Sequence, residues 1–278
     1  MKIKSIETFD SGYVCFVRVK TEDGQEGIGQ IAPNHSNIST LVLHQQIARH
    51  ALGKDADRIA ELGEHIIREE HKFPGSYLCR ALGGLDTALW DLKGKRLGKS
   101  VCELLGGERR PIDVYGSSMK RDISPEDEAD RLKRLQEEHG FRAFKFRVGQ
   151  KFGNDEDVYP GRTEQIVPAV RNALGDETLL YVDANSGFTP TRAIEVGRML
   201  EQYGVVHYEE PCPYQWLEWT KCVADALDVA VAGGEQDTDL AQFQRMISMR
   251  AVDIVQPDIC YIGGFSRALE VARMAQEA

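Results

Sequence analysis

Three short runs decide how this chain reads: Leu179-Leu180-Tyr181-Val182-Asp183, Val205-Val206-His207-Tyr208-Glu209 and Val231-Ala232-Gly233-Gly234-Glu235. Each is apolar and each ends in an acid. Asp183 to Glu209 and Glu209 to Glu235 are both 26 positions apart. That interval holds one strand, one helix and two turns, so the carboxylates should project from corresponding ends of consecutive parallel strands. Three hard oxygen donors at one mouth are the ligand set a magnesium ion takes.

Working outward, the same alternation fills everything after residue 110. Strands are expected at 113–116, 143–148, 179–183, 205–209, 229–233 and 252–256. Helices are expected at 125–139, 162–174, 190–203, 216–226 and 238–249, with a sixth after Gly263-Gly264. Short apolar strands alternating with helices give an α/β domain whose parallel sheet is buried on both faces. An open doubly wound sheet lacks support, because no Gly-x-Gly-x-x-Gly turn follows the first strand. A barrel is favoured, because functional-looking side chains end successive strands, where barrel sites are built. A (β/α)8 barrel needs eight strands. Only six fit here, and the last helix, 267–278, has no closing glycine, so the reading is of a sequence shorter than its natural domain.

The first 110 residues differ. Residues 3–9 and 13–19 alternate as strands, 21–24 make a turn, and 26–29 return as a third strand. Residues 33–39 are polar and turn-rich and read as a mobile loop, followed by helical periodicity over 40–51 and 56–70 and an irregular stretch at 71–77. The run 81–92 reads as a tightly packed helix ending near Gly94, its glycines admitting a close neighbour. Strands first and helices after make an α+β domain over 1–110, with the barrel domain over 111–278.

Composition narrows the partners. The chain has 278 residues, 42% hydrophobic and 28% charged, with a formal charge of −10. That charge argues against nucleic acid and anionic membrane, so an anionic substrate must be captured by local cations. Six scattered cysteines without a Cys-x-x-Cys pair, no signal core and no long apolar run point to a reduced, cytoplasmic protein.

The strand ends, in order, carry Lys145 and Arg147, Asp183 with Asn185, Glu209 with Glu210, Glu235, and Asp258. Lys145 and Arg147 are two apart and face the same side of a strand. Two cations inside a barrel are costly unless they meet negative charge, which metal-bound carboxylates or a carboxylate substrate supply. Any one of these acids alone would read as a helix cap or a solvated loop charge. Three at matched strand ends, beside cations, read as a site.

The series Lys-x-Arg at 145–147, Val-Asp-Ala-Asn at 182–185, Tyr-Glu-Glu-Pro at 208–211, Gly-Gly-Glu at 233–235, Gln-Pro-Asp at 256–258 and Ile-Gly-Gly at 262–264 resembles the enolase superfamily. Within it the likeness is to the mandelate racemase/muconate lactonizing enzyme family, mandelate racemase subgroup. The resemblance implies a TIM-like (β/α)7β barrel under an N-terminal α+β capping domain. It also implies Asp183, Glu209 and Glu235 as Mg2+ ligands. Lys145 and Arg147 fall on the second-strand position that often reads Lys-x-Lys. Asp258 matches an acid that pairs with a seventh-strand histidine, and no histidine of this chain can be matched to that partner. Residues 13–39 and 71–77 correspond to cap segments that close over substrate, with Tyr13, His35 and Asn185 as substrate-binding residues.

The activity so implied is a Mg-dependent acid sugar dehydratase that abstracts the proton α to a carboxylate and passes through an enediolate. The alternatives are a cycloisomerase, a racemase or epimerase on a related carboxylate, or an inactive metal-binding fragment. The partner is a small carboxylate, and such barrels often self-associate. Arg147 departs from the family pattern: arginine is a poor proton acceptor. It is expected to act as a fixed cation, with Tyr159 on the 149–160 loop as a second candidate partner, and two-base racemisation is disfavoured.

Other polar residues carry less. His65 and His71 are six apart, wrong for paired ligands on one helix face. His207 faces the barrel interior and reads as packing, Trp90, Trp216 and Trp219 read as core or helix contacts, and Cys212 lacks a matched base.

Overall fold

The computed structural model of the protein describes residues 1–278 and divides into two compact units. The first comprises residues 1–111, 235–244 and 257–278, and the second residues 112–234 and 245–256.

In the first unit, β1 (Ile3–Asp10), β2 (Cys15–Thr21) and β3 (Glu26–Ile31) form an antiparallel sheet in that order. Then come α1 (Ser36–Val42), a π-helical turn (Leu43–Ile47), α2 (Ala48–Ala51), α3 (Ile59–Glu69), α4 (Ser76–Leu97) and α5 (Val101–Leu104). Ile3, Val17, Val19, Ile31, Leu43, Ile47, Ile66 and Leu82 form the core of this unit.

Helix α4 is its keel. It lies along the free edge of β3, where Asp91 Oδ2 accepts from Ile28 N at 2.7 Å and Thr87 Oγ1 from Gln30 N at 3.2 Å. These bonds satisfy outward N–H groups that an uncovered edge would leave for aggregation. The approach is close enough to require glycine, since a Cβ on Gly29 would stand 2.4 Å from Ala88 N. The helix outlasts the expected end at Gly94 and stops at Leu97, with Gly98 left-handed at φ 63. Gly94 serves packing instead, facing the Lys99 carbonyl.

Residues 33–39 are not the irregular loop their polarity indicated. Asn34 and His35 turn left-handed (φ 64 and 52) and α1 begins at Ser36, whose hydroxyl donates to Asp10 Oδ1 at 2.5 Å. Ser36 is buried. A serine that spends its hydroxyl on a partner can face a core, which polarity alone does not reveal.

The second unit holds β4 (Gly116–Ser117), α6 (Pro125–His139), β5 (Ala143–Arg147), α7 (Arg162–Leu174), β6 (Leu179–Asp183), α8 (Pro190–Gln202), β7 (Val205–Glu209), α9 (Leu217–Ala224), β8 (Ala230–Gly233) and β9 (Ile254–Val255). These strands form one parallel sheet in sequence order, β4 to β9. It is an α/β sheet with strand-end geometry of the barrel type, and it does not close: β4 and β9 each pair on one side only. The edge strands are accordingly shorter than expected, and Ile112 and Val114 are 79% and 67% exposed. Phe144, Phe146, Val167, Leu180, Val182, Tyr208 and Val231 fill its core. Beyond β8 lie α10 (Leu240–Ser248), α11 (Ile259–Ile262) and α12 (Phe265–Glu277). No helix is long and apolar enough to cross a membrane.

Candidate active site

The parallel register arranges the strand ends in two rows. Arg147, Asp183 and Glu209 are partners across β5, β6 and β7, and Lys145, Tyr181 and His207 are partners two residues earlier. Residues two apart share a face, so both rows look the same way. Neighbouring strands lie about 4.8 Å apart, which sets two carboxylates side by side.

Two cations hold that pair. Lys145 Nζ donates to Glu209 Oε2 at 2.6 Å and stands 3.7 Å from Asp183 Oδ2. Arg147 donates through Nη1 to Asp183 Oδ2 and to Asn185 Oδ1, and through Nη2 to Met119 Sδ at 3.1 Å. Asn185 adds its backbone N–H to Asp183 Oδ1 at 2.7 Å and its amide to Oδ2 at 3.0 Å. All four charged groups are buried: Lys145 and Arg147 are 6% exposed, Asp183 and Glu209 fully enclosed. Buried charges persist only when paired and hydrogen-bonded, as these are.

The two acids are shifted in opposite directions. Burial and the Glu209 charge push Asp183 up to about 6 against the pull of Arg147 and Lys145. Burial works the same way on Glu209, but the His207 hydrogen bond and Lys145 outweigh it and hold that carboxyl at about 2. Burial opposes the Lys145 ammonium, yet Glu209 and Asp183 raise it above the ordinary lysine value.

The donor set fits a hard divalent cation on one further observation. Glu209 Oε1 is buried without a hydrogen-bond partner while Oε2 is engaged. An anionic oxygen left bare in the interior calls for positive charge. No group of three or more His, Cys, Asp and Glu side chains stands close enough together to hold a metal ion. Glu235, the third expected ligand, follows β8 by two residues, belongs to the first unit, is half-buried, and accepts from Gln236 Nε2 at 3.1 Å.

Of the remaining expected residues, Asp258, Tyr13 and His35 belong to the first unit and Tyr159 to the second. Asp258 caps α11, its Oδ1 accepting from Tyr261 N at 2.9 Å. Tyr159 is exposed, its carbonyl accepts from Arg162 N at 3.2 Å, and no hydrogen bond joins it to Arg147. Tyr13 is 60% exposed on the β1–β2 turn, where its carbonyl accepts from Asn34 N, and His35 is the exposed N-cap of α1. Cys212 is no nucleophile here: burial, then Asp155, pushes its thiol up to about 12. Trp216 is not core but 55% exposed, stacked on Trp219 at 5.6 Å.

Arg121 was missed. It donates to Asn185 Oδ1 at 2.8 Å and to the Gly149 carbonyl at 3.1 Å. Burial, and then the Arg147 charge, lowers it to about 10. The available signal was positional, since Met119-Lys120-Arg121 follows the first strand of the sheet as the other charged groups follow theirs. Asn185 and Ser186 also adopt left-handed backbone (φ 43 and 63), a costly conformation for non-glycine residues that collects at functional sites.

Comparison with known proteins gives the family and the fold. Residues 2–106 match the mandelate racemase/muconate lactonizing enzyme N-terminal domain, and residues 127–278 match the enolase C-terminal domain-like family. The chain is 30% identical to arabinonate dehydratase of Saccharolobus solfataricus, over 95% of this chain and 69% of that protein. It is 33% identical to D-galactarolactone cycloisomerase of Agrobacterium fabrum, over 96% and 69%. A solved structure from Roseobacter denitrificans superposes with a TM-score of 0.98 at 56% identity, covering 100% of this chain and 76% of that one. A mandelate racemase/muconate lactonizing protein from Paracoccus denitrificans, complexed with magnesium, superposes with a TM-score of 0.92 at 31% identity, covering 99% and 76%.

Proposed function

Because the chain belongs to the mandelate racemase/muconate lactonizing enzyme family of the enolase superfamily, we propose that it is a Mg-dependent hydro-lyase that dehydrates an acid sugar, an aldonate or aldarate. The observation that carries this reading is the buried quartet Lys145, Arg147, Asp183 and Glu209 at matched ends of β5, β6 and β7. It is supported by relatives named as a sugar-acid dehydratase and a sugar-lactone cycloisomerase and by a magnesium-bound neighbour.

A proton α to a carboxylate is barely acidic, because its loss leaves a dianionic enediolate. Magnesium, when bound, supplies Lewis-acid stabilisation of that charge. Asp183, Glu209 and Glu235 are the residues that would hold it. Lys145 orients the substrate carboxylate with its ammonium, and Arg147 adds a fixed planar cation that keeps its proton. Asn185, tied to Asp183 and shared by Arg147 and Arg121, presents polar groups to substrate hydroxyls, and Tyr13 and His35 are assigned to substrate binding from the cap. Asp258 orients the base, and Tyr159 is a second candidate for that step. The β-hydroxyl then leaves as water, taking the proton that the base removed, and the enol so formed tautomerises to the 2-keto-3-deoxy acid. The division at residue 110 between cap and barrel domain is part of the same proposal.

The D-galactarolactone cycloisomerase relative supports a second reading, in which the same α-proton is removed and an intramolecular β-oxygen leaves. Open-chain acid sugars and their lactones, incubated separately with the protein and Mg2+ and assayed for 2-keto-3-deoxy acids, separate the two. Dehydration predicts that product from at least one open-chain acid. Product from lactones alone selects cycloisomerisation, and no turnover across the panel counts against both.

A further inference from the structure

The two oxygens of Glu209 are treated differently by their surroundings. Oε2 accepts from Lys145 Nζ at 2.6 Å and stands 3.4 Å from His207 Nε2, while Oε1 is buried and bare. His207 is not free to choose this contact. Its ring packs on Tyr181, its register partner on β6, with centroids 5.0 Å apart and planes tilted by 41°. Tyr181 in turn meets Tyr115 edge-on at 5.2 Å, and Lys145 Nζ lies 5.6 Å above the Tyr115 ring. The aromatic ladder Tyr115–Tyr181–His207 therefore fixes both groups that converge on Oε2. Tyr181 and His207 sit on adjacent strands, which hold a carboxylate more closely than a loop would.

We propose that His207 is a positioning residue which, with Lys145, commits Glu209 Oε2 to protein hydrogen bonds and presents Oε1 as the one oxygen this carboxylate offers to a divalent cation. The inference rests on the metal reading of the site. The role requires His207 to donate from Nε2 to Glu209 Oε2. Partners that orient a metal-ligating side chain typically contribute 10–100-fold in affinity, without touching the metal.

The test is cation binding by the full chain, with Mn2+ followed by loss of its free-ion electron paramagnetic resonance signal and Mg2+ followed by calorimetry. His207→Phe keeps a ring against Tyr181 and removes the donor, so it is expected to weaken Mn2+ binding about tenfold or more with an unchanged thermal melt. His207→Gln restores an amide donor and should recover part of that loss. Unchanged Mn2+ affinity in His207→Phe overturns the proposal. So does equal loss in both variants accompanied by a lowered melting temperature, which would make His207 a packing residue only. Should His207→Phe fail to fold, the Gln variant decides alone: affinity within threefold of wild type with a native melt sustains the positioning role, and loss of ten-fold or more in a native-melting protein overturns it. The metal reading has its own signature. Wild-type protein that takes up neither ion, or Asp183→Asn that binds as tightly as wild type, removes that reading and the proposal with it.

Discussion

Two residues apart on one strand, an ammonium and a guanidinium can do different work. As side-chain types, an ammonium can shed its proton in a suitable environment, whereas a guanidinium is a poor proton acceptor and donor. Arg147 is also held through both terminal nitrogens, to Asp183, Asn185 and Met119. A cation so held binds and orients, and the reaction should depend on it without using it as a base. Arg147→Ala is expected to lower kcat/KM for the acid sugar by about a hundredfold or more, the loss of one charge-assisted contact in a water-poor site. Arg147→Lys should retain part of that activity and gain measurable epimerisation of the α carbon, read by NMR of recovered substrate. Unchanged dehydration in Arg147→Ala would remove the residue from the mechanism. The cations, Asp183 and Glu209 were legible in the sequence because charge at the end of a short apolar run marks where a buried strand emerges at a site. Arg121 was not, because its strand is only two residues long and gives no alternation to count from.

At the level of elements, α4 shows how much a helix can be asked to do. Its apolar and glycine positions were readable as tight packing, and its length was not, because Gly94 looked like a terminus and is a contact. The same helix carries Asp86, whose Oδ1 accepts from Ser266 N at 3.3 Å at the start of α12. Burial raises this carboxyl from 3.8 to about 6, only partly offset by its bonds to Ser266. A carboxyl whose folded pKa lies above its unfolded one stabilises fully below the unfolded value and loses that contribution as pH rises through the folded one. The window here is pH 4 to 6, and a rise of that size corresponds to about 3 kcal/mol. Asp86→Asn should therefore melt like wild type at pH 4 and higher than wild type at pH 8. Equal melting differences at both pH values would show that Asp86 is ionised in the fold at no cost. The misread loop at 33–39 belongs to this scale too. Local polarity marked it as irregular, while a single long-range bond, Ser36 to Asp10, makes it the start of a helix.

For the molecule as a whole, the order of strands, the parallel register and the matched strand ends followed from one repeated interval in the sequence. What the interval could not show is which oxygen of each acid is engaged, since that depends on the partners each acid meets in the fold: Arg147 and Asn185 for Asp183, Lys145 and His207 for Glu209. With a net charge of −10 the protein repels small anions at long range, so recognition of a carboxylate has to be local. In the proposed reading the Lys145, Arg147 and Arg121 cluster provides it. Dehydration, cycloisomerisation and epimerisation at such a site share one event, removal of the proton α to the carboxylate. The most direct measurement of the central claim is loss of the α-proton NMR signal of an acid sugar in D2O, with the protein and Mg2+ present, before and after chelation by EDTA. The account predicts exchange or elimination at the α carbon that stops on chelation, resumes with added Mg2+, and is absent in Asp183→Asn. An α-proton signal that disappears at the same rate with EDTA present, or in Asp183→Asn, would contradict it.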